Sequence, residues 1–175
     1  MTIIPGRPQA SEHAPYFSRY IDLVPEDDIA STIETQGRET AALLAKISEE
    51  KAAFRYAPEK WSIKQVVGHV TDTERVFGYR LMAIARGESQ SLPGFDENDY
   101  VRNANFDEIP FADLLEGLAA IRRATLVLVR GLSAEAWTRA GTANQNKTSA
   151  RSVAYMIVGH ERHHVRVLRE RYLSV

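Results

Sequence analysis

The sequence predicts an all-α fold, a four-helix bundle with long connecting loops. Three observations lead there. Four long segments repeat apolar residues at helical spacing, no run alternates apolar and polar residues long enough for a convincing strand, and 175 residues is the size of one ordinary domain. The expected organisation is a single domain over residues 1–175, with residues 1–24 as an N-terminal arm. That arm carries Pro5, Pro8 and Pro15 among Tyr16, Phe17 and Tyr20, which predicts an extended segment tacked onto the body by its rings.

The first helix is expected after Pro25. Glu26, Asp27 and Asp28 suit the positive end of its dipole, and Ile29, Ile33, Leu43, Leu44 and Ile47 carry its apolar face to an end near Ala53. The second has the clearest start in the chain. Ser62 can cap, Gln65 completes a capping box, Trp61 can staple onto Val66, and Gly87 provides the stop. A third helix opens at Pro110 and runs through Leu114, Leu118, Ile121, Thr125 and Leu128 to Gly131, with a further short turn from Ser133. The fourth begins near Thr148 or Ser149 and carries Val153, Met156, Ile157, His160, His164, Val167 and Leu168 on to Tyr172. Between these helices, residues 88–109 and 139–148 are expected to be long loops, either lids over a site or packed Ω-loops.

Composition excludes several classes of function. With 22 basic and 23 acidic residues evenly mixed, the net charge is −1, so no polyelectrolyte surface favours nucleic acid or anionic lipid. Having no cysteine, the chain can form no disulfide, thiolate metal site or cysteine nucleophile, which fits a cytoplasmic protein. The first residues lack the pattern of an export signal, and no apolar run is long enough to span a membrane.

The chemistry-bearing motif is His160-Glu161-Arg162-His163-His164, which matches H-E-x-x-H, the zinc-protease signature. Residues four apart on a helix differ by about 40° around the axis and about 6 Å along it, so His160 and His164 can aim at one point. His163 falls on the other side of His160 and reads as a rim residue. A protease needs a third ligand downstream. There, Val167 stands where a glycine break would fall, and Glu170 lies roughly 9 Å along the axis from His164 and turned away. The missing ligand must come from upstream, and His69, on the broad apolar face of the second helix, is the candidate. The alternative reading is of core histidines satisfied by local hydrogen bonds. Gly68 and Gly159 each precede a proposed ligand and can let the two helices approach closely, or are simply tolerated.

In "KWSIKQVVGHVTDTE", "LPGFDENDY", "RAGTANQNKTSARSVAYMIVGHERHH" and the order His…His-x-x-x-His, the chain resembles the DinB-like four-helix bundles, and within them the YfiT-like metal-dependent hydrolases. The resemblance covers roughly residue 30 to the end. It implies that His69, His160 and His164 bind a divalent metal, zinc or nickel. It also implies a homodimer and a small-molecule substrate, with some similar proteins transferring low-molecular-weight thiols such as bacillithiol or mycothiol to electrophiles.

The expected function is therefore a metal-dependent hydrolase or low-molecular-weight thiol S-transferase. The alternatives are a non-catalytic metal-binding bundle and a structural dimer whose histidines bind nothing. Glu161 and Asp96 are the candidate general bases. Asp72 and Glu74 are candidate acceptors for an imidazole N–H, and each of these four acids has an ordinary solvated-surface reading as well.

Overall fold

Side chains cap three of the four expected long-helix starts, all but the one at Pro110, in the computed structural model of the chain, which describes residues 6–174. Asp28 accepts a hydrogen bond from Ser31 N (3.0 Å) and opens α2 (Ile29–Leu44), preceded by the short α1 (Ser18–Ile21). Ser48 starts α3 (Glu49–Ala52), and the Ser62–Gln65 capping box opens α4 (Ile63–Ala85). Then follow α5 (Glu97–Asn103), α6 (Phe111–Arg130), α7 (Ala134–Thr138) and α8 (Ala150–Val167), with Ser133 and Ser149 capping the last two. The helix of α8 continues as one wider turn through Tyr172.

Three expectations of local structure are corrected. The first helix ends at Leu44 rather than near Ala53, because the Ser48 hydroxyl accepts from Lys51 N and starts a new turn with Glu49 and Glu50 at its positive end. The segment before Val24 is not extended. Ala10–Glu12 and Pro15–Phe17 form 3₁₀ turns leading into α1, and Tyr20 and Ile21 are buried, while Pro5 lies outside the described residues. Residues 139–148 are not structureless either. They contribute β1 (Ala140–Ala143) and β2 (Asn146–Ser149), an antiparallel hairpin pairing Ala140 with Ser149 and Ala143 with Asn146. Its two-residue turn, Asn144 and Gln145, is left-handed at both positions (φ 48° and 63°), the twist that closes a tight hairpin.

Residue pairs fix how the four long helices are ordered. Going round the bundle the neighbours are α8, α4, α6 and α2, so the consecutive helices α2 and α4 face each other across a diagonal, as do α6 and α8. Glu74 meets Arg122 and Gly78 approaches Thr125, which makes α4 and α6 parallel. Glu34 meets Arg130 while Gly37 touches Arg122, which makes α2 and α6 antiparallel. Two parallel neighbours cannot be joined by a tight turn. After α4, about 34 Å long at 1.5 Å per residue, the chain must travel back to the end from which α4 began. Residues 86–110 make that return. They lay Pro93 on Arg80, Phe106 on Gly68 and Asp107 on Ser62, and contain α5 and a 3₁₀ turn (Phe106–Glu108).

Two apolar clusters fill the bundle, one around Ile33, Leu81, Trp137 and the first half of α8, the other around Leu44, Val66, Phe111 and Leu168. A polar network joins all four long helices. Arg122 Nη2 of α6 lies 2.7 Å from Glu74 Oε2 of α4 and 2.7 Å from Glu161 Oε2 of α8, and Gln36 of α2 donates to Glu161 and to Val158 O. Burial pushes the Glu74 carboxyl up against the opposing pull of Arg122. One guanidinium thus offsets two buried carboxylates, and removing it leaves both without a counter-charge. Arg122→Ala is expected to lower the unfolding free energy by about 3 to 5 kcal/mol in denaturant titration; a loss below about 1 kcal/mol would contradict this account of the network.

Candidate metal centre

His69 occupies the second turn of α4, where the capped start at Ser62 fixes the helix and Trp61, just before the cap, packs its ring 4.7 Å from the imidazole. His160 and His164 stand one turn apart on α8, their ring centroids separated by 4.5 Å. Antiparallel packing of α4 on α8 brings the three together. His69 lies 4.9 Å from His160 and 4.8 Å from His164 between ring centroids, and the Nε2 atoms of His69 and His160 are 3.0 Å apart. One nitrogen from each ring falls within 4.8 Å of the others.

Burial governs the charge of these rings. His69 and His160 are each 6 % exposed, and His164, partly buried, borders an adjoining cavity. Burial brings His69 down to about 4, aided by the nearby His163, and places His160 and His164 well below their ordinary range. At neutral pH all three are therefore uncharged and keep a lone pair for a ligand bond. Bonds of 2.0–2.1 Å in a tetrahedral shell would set ligand nitrogens about 3.3 Å apart. The observed separations bracket that value, so the donor set fits a divalent ion after small side-chain shifts.

The cavity beside the rings has a volume of about 370 Å³. One wall is the N-terminal segment, in which Tyr20 sets its ring edge-on to His160 (5.3 Å) and His163 (5.7 Å). The opposite wall comes from the return loop and the hairpin, with Phe95, Glu97, Asn144 and Asn146. Gly94 permits this join, because a Cβ there would fall 2.3 Å from the Asn144 side-chain oxygen. Along the floor, α4 contributes Thr73, Phe77 and Arg80. Of these lining residues the sequence reading singled out the histidines, the aromatics of the N-terminal segment, Trp61 before the second helix, and Thr73 and Phe77 on the face that carries His69, but not Arg80 or the residues of the opposite wall. Arg80 follows His69, Thr73 and Phe77 at helical spacing on one face, which was the available signal.

The carboxylates take other places than those expected of them. Glu161 is buried (2 % exposed) but turned about 100° from His160 into the bundle, where Arg122 and Gln36 hold it, so it is not a general base for the cavity. Asp96 is exposed and caps α5, accepting from Asn98 N (2.8 Å) and Asp99 N (3.0 Å), and it does not line the cavity. Asp72 pairs with Arg75, and Glu74 with Arg122, so neither holds an imidazole. Close approach at the two glycines is real but involves other partners. Gly68 lies under the Phe106 ring, and Gly159 lies against the backbone of Tyr20.

A four-helix bundle whose second and fourth long helices bring three neutral imidazoles to the edge of a cavity defines a recognisable class. The chain belongs to the DinB superfamily, whose family model matches residues 32–168. Its fold is similar to that of YfiT from Bacillus subtilis, with 15 % identity, a TM-score of 0.69, and coverage of 95 % of this chain and 91 % of that one. YfiT is described as a probable metal-dependent hydrolase with an unusual four-helix bundle topology. No curated protein sequence matches the chain. No described helix is long and apolar enough to cross a membrane.

Gly159 links the trio to the N-terminal wall, since a Cβ on it would sit 2.0 Å from Tyr20 O and force α1 away from His160. Backbone cannot yield as a flexible side chain can. Gly159→Ala is expected to cost about 3 kcal/mol, read as a fall in the denaturation midpoint, and an unchanged midpoint would show that α1 does not pack as described.

Proposed function

We propose that the protein is a metal-dependent enzyme acting on a small molecule, with His69, His160 and His164 as the ligands of one divalent ion, zinc or nickel. The observation that carries this reading is the convergence of three neutral imidazoles, two buried and one partly buried, with no carboxylate partner at the rings among the described residues. Left alone, three desolvated imidazoles are a cost to folding, and a shared cation offsets it. The superfamily membership and the description given to YfiT support the same reading.

A divalent ion held by three imidazoles supplies Lewis acidity and makes a water or a thiol nucleophilic near neutral pH. The chain's own residues do the rest. Trp61 and Tyr20 hold the rings of His69 and His160 from either side and exclude water from them. His163, half-buried at the cavity rim with its ring 5.0 Å from His164, is an imidazole outside the trio and can take or give a proton at the cavity mouth. Hydrolysis and thiol transfer both fit this arrangement, because in the second case the sulfur arrives with the cosubstrate. The reading carries with it a dimeric, cytoplasmic protein with no nucleic-acid or membrane partner.

Protein purified without a histidine tag is expected to carry close to one zinc or nickel per chain by elemental analysis. His69→Ala and His160→Ala should each lose most of it while remaining folded by circular dichroism. A panel pairing thiols with electrophiles, beside simple esters and amides, should then show a rate that chelation abolishes. Absence of stoichiometric metal would refute the metal reading, and metal without any metal-dependent rate would favour a non-catalytic role.

A further inference from the structure

The face of α4 that carries His69 continues with Thr73 and Arg80, which lie 40° and 20° from it around the helix at about 100° per residue. Both line the cavity. Thr73 is 3 % exposed and its hydroxyl has no partner among the described residues. Arg80 is 6 % exposed, with its guanidinium carbon 5.7 Å from the ring centroids of both Phe77 and Phe95. One of its nitrogens donates to Pro93 O at 2.6 Å, and no carboxylate of the described residues pairs with it. A buried guanidinium normally has a counter-charge, and this one, beside two aromatic rings at the cavity, has none among the described residues. Glu97, the acidic residue of the cavity, is exposed at the rim and is not bonded to it.

Resting on the metal reading, we infer that the Arg80 side chain is the specificity-determining group for a substrate that bears a carboxylate at the end remote from the reacting atom. The Phe77 ring lies 6.2 Å from the His160 ring and 5.7 Å from the Arg80 guanidinium carbon, so the span from the histidine end to the guanidinium is at most about 12 Å. A chain of about six carbons bridges it. The planar fork of a single arginine matches the two oxygens of a carboxylate, and no second cation lines the cavity to hold the higher charge of a phosphate. The Thr73 hydroxyl, between the two ends, gives a polar group in mid-chain its hydrogen bond. The substrate class is thus an elongated small molecule with its reactive group at the histidine end and a carboxylate at the other.

Calorimetric titration of the zinc-loaded protein with 6-mercaptohexanoate and with 6-mercaptohexan-1-ol tests this directly. Both probes offer the same sulfur to the metal end and differ only at the end that reaches Arg80. The carboxylate is expected to bind at least about tenfold more tightly. Arg80→Gln should bind the two alike, and Arg80→Lys should keep part of the preference, with zinc content and melting temperature checked for each. Should Arg80→Gln fail to fold, weakening of the wild-type preference as salt is raised gives the same information, because a charge pair is screened and a merely structural arginine would not produce it. Equal affinities in the wild type, or no binding of either probe, would overturn the inference while leaving the metal reading standing. A wild type that takes up no zinc would overturn both.

Discussion

Helix α8 is buried on every side from Ser152 to Glu161, and the constraint this places on its polar residues organises the molecule. A helix apolar all round has no difficulty inside a bundle, but α8 carries Glu161 and two histidines through that environment. Their 100° and 400° displacements from His160 send them to different neighbours. Glu161 turns to the axis of the bundle, where Arg122 neutralises it, while His160 and His164 turn to α4 and the N-terminal wall. The charge is satisfied internally, and the imidazoles are left facing a cavity. The helix thus splits the H-E-x-x-H stretch, sending its carboxylate to the internal charge network and two of its imidazoles to the cavity.

The second organising fact is that α4 and α6 run parallel. Parallel neighbours oblige residues 86–110 to retrace the length of α4, and on the way they lay Phe95 and Glu97 over the cavity and cover Gly68 with Phe106. The length of this connection therefore follows from topology, and the cavity wall is a by-product of the return. Its join to the hairpin rests on backbone bonds between Leu92 and Thr142 and between Asn144 and Leu92, at 2.8 and 2.9 Å, so the wall is tied to the body. The floor, α4, and both walls are consequently fixed to the elements that position the histidines.

Much of this was legible in the sequence. Capping chemistry is local, and Ser62 with Gln65, Ser133, and Ser149 announced their helices because the hydrogen bonds they make lie within four residues. The His160–His164 pair was legible for the same reason, and His69 followed from the apolar face it shares with Val66 and Phe77. Where meaning depends on a distant partner, the sequence was mute. Asp96 reads as a loop acid until its oxygen is seen on Asn98 N, and Glu161 reads as a base until Arg122, thirty-nine positions earlier, is seen beside it. The hairpin escaped because four-residue strands carry almost no periodicity, although Asn144, a residue tolerant of left-handed backbone, marked its turn. Arg80 escaped because its lack of a carboxylate partner shows only once the residues around it, Phe95 and Pro93 among them, are in place.

Folding and chemistry meet in the imidazoles. Their burial keeps them neutral, which weakens the apo protein slightly and makes them ready donors, and the same packing that desolvates them sets their nitrogens near the spacing of a tetrahedral shell. X-ray absorption at the metal edge of the zinc-loaded protein tests that convergence most directly. The account predicts a first shell with three imidazole nitrogens at about 2.0–2.1 Å, falling to two in His69→Ala. A shell made only of oxygens, or one unaltered by that substitution, would contradict it.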